Sequence, residues 1–279
     1  MALRRIRYKI LIAAILAALG LYQFQGGDLV NFFSGQWCFF FGDSQKVIQE
    51  LEKRHQLVIR YDVKENVIPE SLRNPPSYAT AKPFNQRYLC RYIQNISIEL
   101  KKYPADIIKH NLSAIYLFDS LSFFGVDYGG SSLGSAIYLT AGNISEGYDN
   151  DYFAALLHHE ISSVLFRNYR FPANAWSAIN PDSFHYAESD SQILKAIENG
   201  NESTKSEALY HDGFLAKYAQ STLENNFNLY AEMAFTQPHK LRSLAMKYPR
   251  INQKAELVRD YYIGISKDFH MDIINPISK

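Results

Sequence analysis

Residues 150–168 combine a helical periodicity of apolar side chains with polar residues at the centre of the stretch. Ser163 follows His159 by four residues, so a helix places both side chains on the same face, with Glu160 beside His159. We therefore predict one long helix that presents these three residues together. The apolar positions at helical spacing are Phe153, Leu157, Ile161, Val164 and Leu165.

The spacing of these polar residues matches a zinc-binding motif at two of its three positions. In His-Glu-x-x-His, two imidazoles bind the metal and the glutamate acts as general base toward the metal-bound water. Ser163 stands in place of the second histidine, and a hydroxyl is a poorer zinc ligand than imidazole. The alternative is structural: His158 and His159 belong to a hydrogen-bonded network, and Glu160 stabilises its helix or remains solvated.

A second helical stretch, residues 213–235, carries a candidate carboxylate ligand. Glu232 shares the polar face of this stretch with Asn228 and Thr236. A carboxylate on a second helix completes a site that begins with histidine ligands on a first helix. A solvated carboxylate is the alternative. The buried stripe of the stretch consists of Leu223, Phe227, Tyr230, Ala231 and Ala234.

Together these segments resemble a family of bacterial zinc-binding metallopeptidases of the gluzincin type, over about residues 114–265. The resemblance implies an α+β fold, in which a zincin-like domain combines a small mixed sheet with an HExxH-type active-site helix. It also implies that a polypeptide lies along a sheet edge by β-augmentation. The matching elements are a strand at 135–139, the His-His-Glu helix, Gly-Phe-x-x-x-Tyr-Ala at 213–219, Phe-x-x-Tyr-Ala-Glu at 227–232 and Tyr-Pro-x-Ile-x-x-Lys at 248–254.

By position, the resemblance implies zinc as the cofactor, with His159 as the first ligand, Glu160 as the catalytic base and Glu232 as the third ligand. Ser163 departs from the family pattern, which gives HExxS in place of HExxH. Three outcomes remain open. A histidine from elsewhere fills the place, zinc binds weakly through His159, Glu232 and water, or the fold persists without metal.

Three further histidines are candidates for an additional ligand beside Ser163. His185 and His211 lie in the segment between the two predicted helices. His158 points roughly 100° away from His159 around the helix and suits the place less well.

The N-terminus has the layout of an export signal. A basic segment, residues 4–9, precedes an uninterrupted apolar run, residues 10–22. This run is shorter than the roughly 20 residues that span a bilayer comfortably, and Ala18-Leu19-Gly20 has the small residues of a cleavage site. Residues 1–25 are therefore predicted to be a signal peptide or a membrane anchor. The remainder is expected on the periplasmic side of the cytoplasmic membrane, anchored or secreted.

The rest of the chain divides into two predicted parts. Residues 26–110 form an N-terminal α/β portion with a proline-rich connection at 64–87, and residues 111–279 form the zincin-like domain. Cys38 and Cys90 form either one disulfide, as an oxidising compartment favours, or two buried free thiols.

The charge of the chain excludes one class of partner. The net charge is +1 with both signs mixed along the sequence, so the basic footprint of a nucleic-acid-binding protein is missing. The leading hypothesis is a zinc-dependent, metallopeptidase-like protein of the bacterial envelope that hydrolyses peptides with Glu160 as general base. The alternative is a catalytically inactive zincin-fold protein that binds a peptide or an envelope partner. Under both hypotheses the membrane is a further partner if residues 1–25 are retained.

Overall fold

The computed structural model describes residues 43–63, 65–142, 147–187 and 205–269. The predicted signal or anchor lies outside these ranges. Within them, no helix has both the length and the apolar character needed to cross a membrane. Cys90 is disulfide-bonded, and the other cysteine of the sequence, Cys38, lies outside the described residues.

Six strands in the described residues form one mixed sheet. The strands are β1 (Val58–Arg60), β2 (Thr80–Pro83), β3 (Ala114–Phe123), β4 (Val126–Tyr128), β5 (Gly130–Leu133) and β6 (Ala136–Thr140). The central path runs β1, β3, β6, β5; β3 is parallel to both β1 and β6, and β5 is antiparallel to β6. β2 and β4 pair with β3 in the antiparallel sense.

Helices share the main core with this sheet and complete the predicted α+β architecture. In the described part of the chain the α-helices are α1 (Ser44–His55), α2 (Glu70–Arg73), α3 (Leu89–Leu100), α4 (Ala105–Asn111), α5 (Asn150–Asn168), α6 (Ala173–Ser177), α7 (Glu207–His211), α8 (Leu223–Thr236), α9 (Pro238–Lys247) and α10 (Pro249–Ile265).

β3 lies at the centre of the sheet and contributes to two apolar clusters. Ile115 and Leu117 are fully buried in the main core with the helices, whereas Phe118 and Leu121 belong to a smaller cluster. β1 pairs with β3 although it precedes the boundary predicted at residue 110. That boundary remains a prediction.

The helix predicted at 150–168 is confirmed as α5. The side chain of Asp149 accepts a hydrogen bond from the backbone nitrogen of Tyr152 at 2.7 Å, which caps the helix start. Leu157 and Ile161 are buried in the main core. The apolar periodicity therefore sets the rotation of α5 about its own axis.

The single helix predicted at 213–235 is wrong over its first ten residues. Gly213 has φ +81°, a left-handed conformation that interrupts a helix. A short 3₁₀ turn follows at Lys217–Gln220, and α8 begins after Thr222, whose hydroxyl accepts from the Asn225 nitrogen at 3.0 Å. The apolar periodicity continued across this break, but the glycine and the threonine cap determined the backbone.

The loop that begins at Gly213 is held by a buried lysine of α10. Lys254 Nζ donates to the Gly213 carbonyl at 2.9 Å and to Asn180 Oδ1 at 2.7 Å. The Tyr230 hydroxyl donates to the same carbonyl at 3.0 Å. Burial lowers the pKa of Lys254 to about 7. These bonds fix residues 215–216 where they line the site described next.

Candidate functional site

A cleft of about 560 Å³ lies beside the middle of α5, and we call it the α5 cleft. His159 and Glu160 line it from α5, and Glu232 lines it from α8. The tertiary structure thus brings together the three residues predicted as first ligand, base and third ligand. The other lining residues are Asp127, Tyr128, Gly129, Gly130, Asp149, Asp151, Tyr152, Ala155, Leu156, Lys205, Leu215, Ala216, Tyr218, Leu229, Met233, Thr236 and Gln237.

Two hydrogen-bonded pairs join α5 to α8 at the site. His159 Nδ1 hydrogen-bonds to Glu232 Oε1. One turn further along α5, Ser163 Oγ accepts a hydrogen bond from Asn228 Nδ2 at 2.7 Å. Residue numbers rise along α5 as they fall along α8, so the two helices are antiparallel here. The place of the second zinc ligand is therefore held by a buried hydroxyl–amide pair.

Glu160 is a buried carboxyl group at the wall of the cleft. Burial raises the pKa of Glu160 to about 7, against the opposing influence of His159 and of a hydrogen bond from Ser132. A Cβ atom at Gly130 would lie 3.0 Å from Glu160 Oε1 and 2.9 Å from a methyl group of Leu156. Glycine at this position of β5 lets the strand approach the carboxyl group closely.

β5 presents a backbone edge next to the cleft. The Gly129 carbonyl accepts from the Thr140 nitrogen of β6 at 2.8 Å. Because backbone groups alternate in direction along an antiparallel strand, those of Gly130 and Ser132 point away from β6. The Ser132 carbonyl accepts from Arg167 at 3.4 Å. Among the described strands β5 pairs with β6 alone, so Gly130 carries the backbone groups of this edge that lie in the cleft.

His158 faces the core rather than the cleft. The Tyr103 hydroxyl lies 2.7 Å from Nδ1, and Glu99 Oε2 lies 2.6 Å from Nε2. The imidazole stacks on the Phe235 ring, with 4.6 Å between ring centroids. Burial lowers the pKa of His158, and the neutral ring accepts from Tyr103 and donates to Glu99. His158 is thus held away from the predicted metal position.

The other two candidate histidines also lie outside the cleft. His211 packs edge-on against the Tyr248 ring at 5.0 Å, and His185 is exposed; neither lines the cleft. Across the described ranges, no three His, Cys, Asp or Glu residues lie close enough to hold a metal ion. His159 and Glu232 are paired with each other, and Ser163 is paired with Asn228. This donor set does not fit a zinc site that takes three protein ligands.

The sequence places Asn228 only on the polar helix face that carries Glu232, and its contact with Ser163 was not predicted. A signal for it exists in the sequence. Asn228 precedes Glu232 by four residues, the same spacing that separates His159 from Ser163. Two antiparallel helices with matched spacings can form two such pairs, but the spacing does not show that these two helices pack together.

The comparisons with known proteins identify the fold. No protein-family model and no curated protein matches the sequence. The structure is similar to the crystal structure, at 2.10 Å resolution, of a putative zinc-binding metallo-peptidase from Bacteroides caccae ATCC 43185. The TM-score is 0.53 at 17% sequence identity, over 82% of this chain and 87% of that one. The chain therefore shares its fold with that protein.

Proposed function

We propose that this protein binds an extended polypeptide segment in the α5 cleft and does so without zinc-dependent catalysis. The observation that carries the proposal is the Ser163–Asn228 hydrogen bond at the place of the second zinc ligand. A catalytic zinc site uses three protein ligands and one open position. The described residues supply two such groups, His159 and Glu232, which hydrogen-bond to each other.

The cleft has backbone groups, apolar surface and volume suited to binding an extended peptide. Gly130 offers a backbone N–H and C=O at the edge of β5, where an added strand would form main-chain hydrogen bonds. The lining of the cleft also includes apolar surface from Leu215, Leu229 and Met233. A volume of about 560 Å³ accommodates several side chains of an extended segment.

Zinc-dependent peptide hydrolysis with Glu160 as general base is the second candidate function. It is favoured by one observation, the convergence of His159, Glu160 and Glu232 on the same cleft. The similarity to a structure described as a putative zinc-binding metallo-peptidase is consistent with it at the level of the fold.

Metal analysis separates the two candidates. The full-length protein is incubated with zinc, dialysed and analysed by mass spectrometry for bound metal, and peptide binding and cleavage are measured in parallel. We expect far less than one zinc per chain, peptide binding and no cleavage. One zinc per chain that is lost in His159→Ala and in Glu232→Ala, with cleavage that is lost in Glu160→Gln, would establish the second candidate instead.

We also propose that the domain acts outside the cytoplasm, with residues 1–25 as its signal or anchor. The basic and apolar segments of this region support the proposal, and so does the disulfide at Cys90, because disulfides persist in oxidising compartments. Fractionation of cells that express the full chain, with and without residues 1–25, tests it. Recovery of both forms in the cytoplasm would contradict export.

A further inference from the structure

The α5 cleft carries an unequal distribution of charge. Three aspartates line it near the first turn of α5 and are called the aspartate group: Asp127, Asp149 and Asp151. Asp151 lies roughly 12 Å along the helix axis from His159, at 1.5 Å per residue. Gly129, which also lines the cleft, lies against the Tyr152 side chain of this turn, since a Cβ there would lie 2.4 Å from the Tyr152 hydroxyl. Asp127 of β4 precedes Gly129 by two residues and lines the same cleft.

The carboxylates at the two ends of the cleft differ in their counterions. Glu232 has His159 as its partner and lies within the electrostatic reach of Lys205. In contrast, no lysine or arginine of the described ranges forms an ion pair with Asp127, Asp149 or Asp151. Asp127 and Asp151 are exposed to solvent in the cleft mouth.

Helix stabilisation explains part of this group but not all of it. Asp149 caps α5, and Asp151 lies in the first turn, where a negative charge interacts favourably with the helix dipole. Asp127 lies on β4, belongs to no helix and makes no such contribution. Glu160, a carboxyl group that is only 5% exposed, lines the same cleft.

We infer that the α5 cleft selects an extended segment whose lysine or arginine side chain reaches the aspartate group, while its neighbouring side chains pack against Leu215 and Met233. This inference rests on the proposed function and specifies its ligand class. A strand added at Gly130 would run beside the first turn of α5, within the reach of a long basic side chain. A cation attracted to several carboxylates in a partly enclosed cleft is bound more strongly than one at an open surface.

A divalent cation fits the aspartate group less well than a lysine or arginine side chain does. The described residues include no cluster of three acidic or histidine side chains with metal-binding geometry. Asp149 already accepts a hydrogen bond from the Tyr152 nitrogen. A long, flexible side chain can approach three separated carboxylates without requiring them to converge.

The test uses the full-length protein and fluorescein-labelled heptapeptide pools. Six positions of each pool vary among uncharged amino acids, and the central position is fixed as Lys, Gln or Glu. Binding is measured by fluorescence anisotropy at low salt. We expect the Lys pool to bind about tenfold more tightly than the Glu pool, equivalent to about 1.4 kcal/mol, with the Gln pool between them.

Two charge-matched double variants locate the effect. Asp127→Asn/Asp151→Asn should reduce the tenfold ratio to about threefold or less, because two of the three attracting charges are removed. Asp62→Asn/Asp268→Asn changes the net charge equally at exposed positions outside the cleft and should leave the ratio unchanged. Circular dichroism monitors folding, and the single variant Asp127→Asn, which leaves α5 intact, serves if the first double variant unfolds.

Each outcome decides the inference. Equal binding of the three pools, or tighter binding of the Glu pool, overturns the charge selection while the proposed peptide-binding function stands. A lysine preference that survives in Asp127→Asn/Asp151→Asn overturns the assignment to the aspartate group. Binding of no pool overturns both the inference and the proposed function.

Discussion

Two neighbouring histidines of α5 occupy opposite environments. His158 is fully buried between Tyr103, Glu99 and the Phe235 ring, and every ring nitrogen has a partner. His159, one residue later, lines the α5 cleft and pairs with Glu232. The rotation of roughly 100° per helical residue separates a packing role from a site role. Identical side chains at adjacent positions thus differ in environment because they occupy different faces of the helix.

The largest expected effect is on stability, and it arises from His158, the histidine that faces the core. His158→Ala should reduce the free energy of unfolding by about 4 kcal/mol, because it removes the hydrogen bonds to Tyr103 and to Glu99, which keeps only Lys102, and opens a cavity beside Phe235. His159→Ala should cost about 1 kcal/mol, the typical value of one hydrogen bond near solvent. Urea unfolding at neutral pH measures both. Similar losses in the two variants would contradict the division between the two faces.

A pH-dependent effect should appear on the cleft side. The pKa of Glu160 is raised from 4.5 to about 7 in the folded state, which corresponds to about 3 kcal/mol of unfolding free energy. A carboxyl group with a raised folded pKa stabilises the protein at low pH. That stability is lost as the pH rises from 4.5 to about 7, because the unfolded chain ionises first.

Substitution of Glu160 isolates this contribution from that of other titrating groups. The Glu160→Gln variant cannot ionise at this position, so its stability relative to the unaltered protein should increase by up to about 3 kcal/mol between pH 4 and pH 8. Urea unfolding across this pH range provides the measurement. A relative stability that does not change with pH would show that Glu160 ionises normally in the folded protein.

Substitution of Ser163 tests whether the cleft side of α5 can be made to bind zinc. Ser163→His/Asn228→Ala replaces the hydroxyl–amide pair by an imidazole on the same face of α5 as His159, with space on α8. Zinc should then bind and, at a hundredfold excess over Kd, stabilise the folded state by about 2.7 kcal/mol. Thermal unfolding with and without zinc measures the shift. The same substitutions in a His159→Ala background are the control and should show no shift; equal shifts in both would place the zinc elsewhere.

Much of α5 could be predicted from sequence because its signals are local. Asp149 as the cap and the spacing of Leu157 and Ile161 act within one or two helical turns. The break at Gly213 shows the limit of this approach. Apolar spacing continued through a left-handed residue, and the backbone conformation overrode it.

The pairing at the site could not be predicted in the same way. His159 contacts Glu232 across 73 residues, and Ser163 contacts Asn228 across 65. Such contacts depend on how two helices pack, and helical periodicity contains no information on the partner helix. The aspartate group also depends on tertiary structure, because Asp127 of β4 lines the same cleft as Asp149 and Asp151 only when the sheet and α5 pack together.

The sequence by itself determined that α5 forms and that His159 and Ser163 share one of its faces. It also determined that a second helix carries a carboxylate, since helix geometry follows from neighbours along the chain. The tertiary structure alone decided that His158 faces the core and that the Asn228 amide hydrogen-bonds to Ser163. It also decided that Glu160 is buried against Gly130. These outcomes required distant segments to pack. Packing, rather than the motif, determines which donors remain for a metal or a peptide.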